Sequence, residues 1–360
     1  GGAVLALAGA AHAAAPRPLV IAVEAPMTGD DGADGRDQLR GVELAARQAN
    51  AQGGVLGRHV RVLPADDDGE PKNALSTFTK VGHMNAAGLI GPYNSSVGVI
   101  NLPYYVKARM PLVQLTSTDA TNGMGANIQP KTSQIEPTQF AWMQRNWKPA
   151  HVAIIAGTSS FLAGQADALQ ADLQAAGAQV TRISIERDLD DYSEAVGQAV
   201  ASGADTLYVG TRTREGALIT QAWLATGSQM HCYQGFAVTD PLFVQRVGVA
   251  GSQRCVFSGV PGPTAFPTAK AYVKAYRAAF HLEPATWGTF TYDSARLLFR
   301  AMERAGSTKW GKVMPILLHT TGYRGATGTI TIAPSTGNRT TAAVTTLRVA
   351  DDGQFVLATG

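Results

Sequence analysis

The chain has 360 residues, of which 45% are hydrophobic and 16% charged, and its 30 basic and 27 acidic side chains give a net charge of +3. This length is typical of about two domains with a sizeable core. The basic residues are spread thinly and form no stripe interleaved with aromatic residues, which argues against nucleic acid as a partner.

Residues 1–16 differ in composition from everything that follows. The segment is rich in Ala and Leu, and small residues with A-x-A cleavage spacing lie at 11–13 and 13–15. We interpret it as a signal-peptide remnant, with an Ala-rich tail as the alternative. An exported protein is expected, in the periplasm or another extracytoplasmic compartment. No later stretch reaches the roughly 18 apolar residues of a membrane span.

Strand-like runs alternate with helix-like segments from residue 18 onward. In chain order the runs are PLVIAVEAP, HVRVLPAD, AAGLIGP, PLVQLT, HVAIIAG, QVTRISIE, TLYVGT, MHCYQGF and CVFSGV. The helix-like segments are 36–51, 71–84, 97–109, 164–176, 193–202, 215–226 and 285–305. This alternation is typical of parallel βα units with the sheet covered on both faces, so it predicts a doubly wound α/β fold.

The βα units are too numerous for one compact sheet, so we expect two doubly wound, Rossmann-like lobes. Turn-rich segments interrupt the alternation at 129–138, 258–268 and 322–330. Three crossings make both lobes discontinuous, with lobe 1 formed by 17–132 and 260–324, and lobe 2 by 133–259 and 325–360. A ligand cleft is expected between the lobes.

The motifs that could hold a nucleotide or a metal each lack a required feature. GSTKWGKV (306–313) approaches the P-loop pattern, but Val313 stands where Ser or Thr must contact magnesium. ADDDGE (65–70) lacks the alternating ligands of a calcium loop, and the seven histidines show no zinc-ligand spacing. We therefore expect no cofactor and no metal.

A hydrolytic α/β enzyme is an alternative class. Ser95 lies in YNSSVG instead of the G-x-S-x-G turn of a nucleophilic serine. Such an enzyme also needs a histidine, for example His151, and an acid close to that serine. The sequence favours a protein that is not an enzyme.

Cys232 and Cys255 each lie in a short predicted strand. An oxidising compartment permits a disulfide between them, and two buried free thiols are the alternative.

Hydroxyl-bearing residues follow two successive predicted strands. Ser95 and Ser96 follow AAGLI, and Thr116, Ser117 and Thr118 follow PLVQ. In open α/β sheets, ligands bind beyond the carboxyl ends of the strands, where helix starts offer unpaired N–H groups and a partial positive charge. Helix capping explains each place alone, but the two together predict a binding pocket for a carboxylate.

Five segments together resemble one known family. They are VEAPMTG, NAQGGVLGRHVRVLPADDDGEPKNA, LIGPYNSS, MPLVQLTST and TYDSARLLFRAMERAGS. The resemblance is to the leucine/isoleucine/valine-binding proteins, which are type I periplasmic solute-binding proteins of ABC importers, and it runs from about residue 18 to the end. It implies two lobes joined by three crossover strands, with the ligand trapped by hinge closure.

The resemblance also implies roles for single residues. Ser95 matches the serine that holds the ligand α-carboxylate, while Thr116 falls where a backbone N–H helps and Thr118 on a second hydroxyl. Phe161 falls on an aromatic residue that lines the pocket from the second lobe. The remaining expected contacts are Arg212 and Thr213 from the second lobe and Asp34 from the first. Phe236 and Tyr93 are expected to form apolar walls together with Phe161.

One position departs from the family pattern. The acid that pairs with the ligand ammonium corresponds to Phe236, and a phenyl ring cannot replace a carboxylate because an unpaired buried ammonium costs several kcal/mol. Either the ligand has no ammonium, or another acid replaces this one, for which the candidates are Asp34, Asp119, Glu215 and Asp240. The family's first-lobe disulfide is absent, since Gly69 and Asn94 occupy its positions. A bridge between Cys232 and Cys255 in the second lobe is expected instead.

These observations predict a monomeric, exported binding protein. Its expected ligand is a small carboxylate, such as a branched-chain or other amino acid or an aromatic or aliphatic acid, and its expected partner is the membrane permease of an ABC importer. A ligand-sensing receptor domain of the same fold is the alternative.

Overall fold

The computed structural model describes residues 16–358, so the predicted signal-peptide segment lies almost entirely outside the described residues. The strands are β1 (Leu19–Ala25), β2 (Val60–Asp66), β3 (Gly88–Ile90), β4 (Leu112–Gln114), β5 (Ala126–Asn127), β6 (His151–Gly157), β7 (Gln179–Ile185), β8 (Thr206–Gly210), β9 (His231–Gln234), β10 (Cys255–Gly259), β11 (Tyr323–Gly325), β12 (Gly328–Ile330), β13 (Thr345–Val349) and β14 (Phe355–Leu357). The helices are α1 (Gly32–Ala51), α2 (Ala74–His83), α3 (Ser95–Lys107), α4 (Thr132–Asn146), α5 (Ser160–Ala175), α6 (Ser193–Ala201), α7 (Thr213–Ala225), α8 (Pro241–Val247), α9 (Val249–Ser252), α10 (Lys270–Phe280), α11 (Thr286–Ala305) and α12 (Trp310–Leu318).

The first lobe is built on a parallel sheet in the order β2-β1-β3-β4-β5. Strand β1 reads LVIAVEA and is buried along almost its whole length, because helices cover both faces of the sheet. Helix α11 packs along α1 on one face, and Tyr292, Ala295, Phe299 and Met302 form the predicted buried stripe.

The second lobe is built on a sheet in the order β14-β13-β10-β9-β8-β6-β7. Strands β6 to β10 run parallel, as predicted, and the late strands β13 and β14 add an antiparallel edge. The central strand β8, TLYVG, is fully buried, which its apolar sequence requires. The predicted two-lobed α/β fold is therefore confirmed.

Cys232 in β9 and Cys255 in β10 lie opposite each other in the parallel register, with Cα atoms 4.6 Å apart. The structure joins them by a disulfide within the second sheet.

The predicted residue limits of the lobes stay a prediction. Ala326, Ile330 and Ile332 lie beyond the predicted limit at residue 324, yet they are buried in the core of the first lobe. The hairpin of β11 and β12 thus packs with the first lobe before the chain enters β13 of the second sheet.

Within residues 16–358, none of the helices combines the length and the apolar character needed to cross a bilayer. The carboxyl ends of both parallel sheets instead face a common cleft between the lobes, and this cleft holds the residues described next.

Candidate functional site

The cleft encloses a cavity of about 560 Å³ that residues of both lobes line. The structure brings most of the predicted residues to it: Asp34, Tyr93, Ser95, Ser96, Ser117, Phe161, Arg212, Thr213 and Phe236. Thr116 and Thr118 are not among the lining residues.

The start of α3 places Ser95 at the cavity wall. Strand β3 ends at Ile90, and Gly91 then has φ +122°, where an added Cβ would lie 2.1 Å from the Glu24 carbonyl oxygen. The chain turns sharply there and enters α3 after the extended residue Asn94. Ser95 is therefore the first residue of a 13-residue helix whose first N–H groups have no partner within the helix.

The Ser95 hydroxyl meets the loop that follows β4. Its oxygen accepts from the backbone N–H groups of Ser117 and Thr118, each at 3.2 Å. Close packing makes this contact possible, because a Cβ on Gly98 would lie 2.4 Å from the Thr116 methyl group. Two backbone donors and one hydroxyl thus converge at one point of the cavity wall.

The loop 116–118 is anchored on its opposite side. Its three carbonyl oxygens accept, in chain order, from Asn127 Nδ2 at 2.7 Å, Thr132 N at 2.8 Å and Lys131 Nζ at 3.0 Å. Because the carbonyl groups are bonded to β5 and α4, the N–H groups at 117 and 118 are held toward Ser95. The loop is a fixed arrangement of donors, to which we refer below as the cradle (Ser95 and loop 116–118).

Both threonines of the cradle have side chains turned away from the cavity. The Thr116 hydroxyl is fully buried between Gln114, at 2.5 Å, and Thr121, at 2.6 Å. The Thr118 hydroxyl accepts from Ala120 N at 3.4 Å and caps a short 3-10 turn. The hydroxyl role predicted for Thr118 stays a prediction; in this structure its side chain caps the turn, and its backbone N–H donates to Ser95.

Four aromatic rings line the cavity and connect the lobes. Tyr93 and Trp287 belong to the first lobe, and Phe161 and Phe236 to the second. Ring centroids are 5.9 Å apart for Tyr93 and Trp287, 6.0 Å for Trp287 and Phe236, and 6.4 Å for Phe236 and Phe161. Trp287 is a residue that sequence reasoning missed, although its place in the first turn of a predicted helix was a usable signal.

Ion pairs cross the cleft at two places. Arg212, which precedes α7, contacts Asp31 of the first lobe at 3.1 Å. Arg187, which follows β7, contacts Glu70 at 2.6 Å and Asp30 at 3.4 Å. Glu70 belongs to the segment ADDDGE, so this loop takes part in contact between the lobes.

Thr213 at the start of α7 donates to the Ala237 carbonyl oxygen at 3.4 Å.

Glu215 is the acid with the least compensation among the lining residues. Its side chain is only 3% exposed, and neither carboxylate oxygen has a hydrogen-bond partner. It lies in the first turn of α7 and also borders a smaller adjoining cavity of about 190 Å³. A buried carboxylate without partners is costly.

The other acids considered for the ligand ammonium are already engaged. Asp34 accepts a hydrogen bond from the Tyr93 hydroxyl at 3.4 Å. Burial raises the pKa of Asp34 well above its usual value, and the negative charge of Asp31 raises it further. Asp240 caps α8 through Leu242 N at 2.7 Å. Asp119 accepts from Ser133 and does not line the cavity.

Gln129 is a second residue that sequence reasoning missed. It lines the cavity, is fully buried, and neither polar atom of its amide has a partner. Its position directly before a proline in QPKTSQ gave no indication of a role in the cavity.

Two doubly wound lobes, closed over a cavity that contains a helix start and a set of convergent N–H donors, define the class of two-lobed solute-binding proteins. The family model described as periplasmic binding protein matches residues 18–354, and the chain therefore belongs to that family.

Known proteins similar to this chain agree with the family. The Leu/Ile/Val-binding protein BraC3 of Rhizobium johnstonii is 27% identical over 91% of this chain and 92% of its own length. The structure of the leucine-binding protein LivK from Thermotoga maritima has a TM-score of 0.87 at 22% identity, covering 95% of this chain and 98% of LivK. LivJ from Streptococcus pneumoniae, solved with isoleucine, has a TM-score of 0.80 at 19% identity, covering 95% and 100%. The resemblance seen in the sequence is confirmed.

Proposed function

We propose that this chain is the extracytoplasmic solute-binding component of an ABC importer, which captures a small carboxylate between its lobes and delivers it to a membrane permease. The observation that carries the proposal is the cradle, where two backbone N–H groups donate to the oxygen of the Ser95 hydroxyl and leave its proton free to donate to a ligand at the cavity wall. The names of the similar proteins support a transport role, and the family supports a location outside the cytoplasm.

A carboxylate is the chemical group that suits the cradle. N–H groups and hydroxyls donate to an anion, and the start of α3 adds the positive end of a helix dipole. Charge-assisted bonds of this kind are about twice as strong as neutral ones. The cradle accordingly favours a singly charged, planar acceptor with two oxygens.

The walls of the cavity suit a ligand with an apolar body. Tyr93, Trp287, Phe161 and Phe236 present ring faces and edges from both lobes. A volume of about 560 Å³ lies within the usual range for cavities that hold small ligands. Closure of the lobes then removes the ligand from water, and the pairs of Arg212 and Arg187 with first-lobe acids stabilise the closed form.

Glu215 supports a ligand that carries an amine as well. Phe236 cannot pair with an ammonium, whereas Glu215 is buried beside the cavity with both oxygens free. We therefore favour an amino acid over a des-amino acid as the ligand.

Leucine and 4-methylpentanoate test both parts of this proposal, because they share one carbon skeleton and differ only in the amine. Isothermal titration calorimetry should show binding of leucine by the wild type, weaker binding of 4-methylpentanoate, and loss of this preference in Glu215→Gln. Equal or tighter binding of 4-methylpentanoate by the wild type contradicts the role of Glu215. Failure of both compounds, and of other matched pairs such as phenylalanine and 3-phenylpropanoate, contradicts carboxylate capture.

The hydrolytic alternative receives no support from the surroundings of Ser95. Its hydroxyl accepts from two N–H groups, and no histidine lines the cavity in the described part of the chain. His151 contacts Thr181 in the second lobe at 2.9 Å, at the edge of the sheet away from the cleft.

A further inference from the structure

Lys131 is a buried cation directly behind the cradle. It immediately precedes α4, and its side chain is 0% exposed. Its ammonium nitrogen lies 2.8 Å from Thr121 Oγ1 and 3.0 Å from the Thr118 carbonyl oxygen. Longer contacts of 3.4 Å join it to Gln114 Oε1 and Thr116 Oγ1.

All four of these partners are uncharged. Lys131 takes part in none of the ion pairs found between residues 16 and 358. Asp119, on the neighbouring 3-10 turn, is the carboxylate whose charge acts on it, but the oxygens of Asp119 accept from Ser133 at the start of α4. An ammonium buried among dipoles without a paired anion is expensive.

This environment changes the protonation of Lys131. Burial lowers the pKa of Lys131 to about 7, and the charge of Asp119 opposes that change. Near neutral pH the ligand-free protein therefore contains both the charged and the neutral form. Any anion that approaches the ammonium stabilises the charged form.

The cradle provides such an anion with a position close to Lys131. The Thr118 carbonyl oxygen accepts from the ammonium, and the N–H of the same residue faces the Ser95 hydroxyl. Only the backbone of Thr118 therefore lies between the ammonium of Lys131 and the hydroxyl of Ser95, to which the ligand carboxylate is proposed to bind.

We propose that Lys131 is a positioning residue of the cradle that takes up a proton when a carboxylate ligand binds, so that affinity for the ligand decreases as pH rises from 6 to 9. This inference rests on the proposed carboxylate site. The sign follows from linkage: if the anion stabilises protonated Lys131, then protonation of Lys131 strengthens binding of the anion by the same factor.

The proton uptake is measurable with leucine and 4-methylpentanoate. Titration calorimetry at pH 8 in phosphate and in Tris, which differ in ionisation enthalpy, gives the number of protons bound with each compound. We expect net uptake by the wild type and about a tenfold loss of affinity between pH 6 and pH 9, which corresponds to a change of about one unit in the pKa of Lys131.

Lys131→Met removes the charge with little change in the length of the side chain. We expect about tenfold weaker binding at pH 6, a smaller dependence on pH and a smaller proton uptake than in the wild type. Lys107→Met, at the exposed end of α3, is the matched control and should behave as the wild type. Asp34 also borders the cavity with a raised pKa, so the difference between variant and wild type is the quantity to compare.

The outcomes separate this inference from the proposed function. Binding by the wild type without proton uptake, or a proton count that is the same in Lys131→Met, overturns the role of Lys131 and leaves the carboxylate site intact. Binding of neither compound overturns both. If Lys131→Met does not fold, as judged by circular dichroism, the pH profile and proton count of the wild type still decide, since their absence refutes the inference.

Discussion

Replacing Ser95 by Ala tests the cradle at its central atom. The hydroxyl oxygen accepts two N–H bonds of 3.2 Å, from Ser117 and Thr118. The substitution removes this acceptor and the donor that the proposed carboxylate uses. The loop itself stays in place, because the donors to its three carbonyl oxygens are unchanged.

The expected loss of binding free energy follows from comparing the protein with and without bound ligand. A hydrogen bond to a charged group contributes about 1.5–3 kcal/mol, and a neutral one about 0.5–1.5 kcal/mol. Part of the loss in the bound state is offset, since the ligand-free variant also loses its hydroxyl contacts. We expect a net cost of about 1–3 kcal/mol in binding, or roughly 5- to 150-fold in affinity.

Titration calorimetry with leucine and 4-methylpentanoate measures this cost. Ser193→Ala is the matched control, because Ser193 is also the first residue of a helix, α6, and does not line the cavity. Ser95→Ala should weaken both compounds by a similar factor, since both carry the carboxylate. Unchanged affinity in Ser95→Ala, or an equal loss in Ser193→Ala, refutes the assignment of the cradle.

Two further predictions concern closure and pH. Arg187→Met removes the ion pair with Glu70 and should lower ligand affinity about two- to fivefold. Small-angle scattering without ligand should show a larger radius of gyration than in the wild type. Arg182→Met, whose partner Asp167 lies in the same lobe, is the control, and equal changes in it argue against a role of Arg187 in closure. Burial raises the pKa of Glu24 to about 8, so the wild type loses stability as pH rises from about 4.5 through 8, by at most about 5 kcal/mol. Urea unfolding of Glu24→Gln at pH 5 and pH 9 should show a smaller loss, and an equal loss excludes Glu24 as the source.

The sequence predicted the features that depend on local pattern. Alternating apolar runs identified the parallel strands, and the hydroxyl groups after β3 and β4 indicated the cradle, because the ends of neighbouring parallel strands lie close together. Ser95 and Ser117 both lie in the cavity wall for this reason.

The features that were missed depend on side-chain direction and on contacts between distant segments. Pattern alone could not show that the Thr118 hydroxyl caps a turn while its N–H donates to the Ser95 hydroxyl oxygen. Trp287 and Gln129 reach the cavity through the packing of the first lobe, and only Trp287, in the first turn of a predicted helix, had a local signal for it. Glu215 was one of four candidate acids, and only its burial without partners distinguishes it.

The position of Trp287 has a spectroscopic consequence. Its indole ring lies between Tyr93 of its own lobe and Phe236 of the opposite lobe. When the lobes separate, water takes the place of Phe236 against one side of the indole, and its emission moves to longer wavelength. If the lobes move as proposed, Trp287 is therefore an intrinsic fluorophore at their boundary, one of the five tryptophans of the chain, and reports opening without an attached dye.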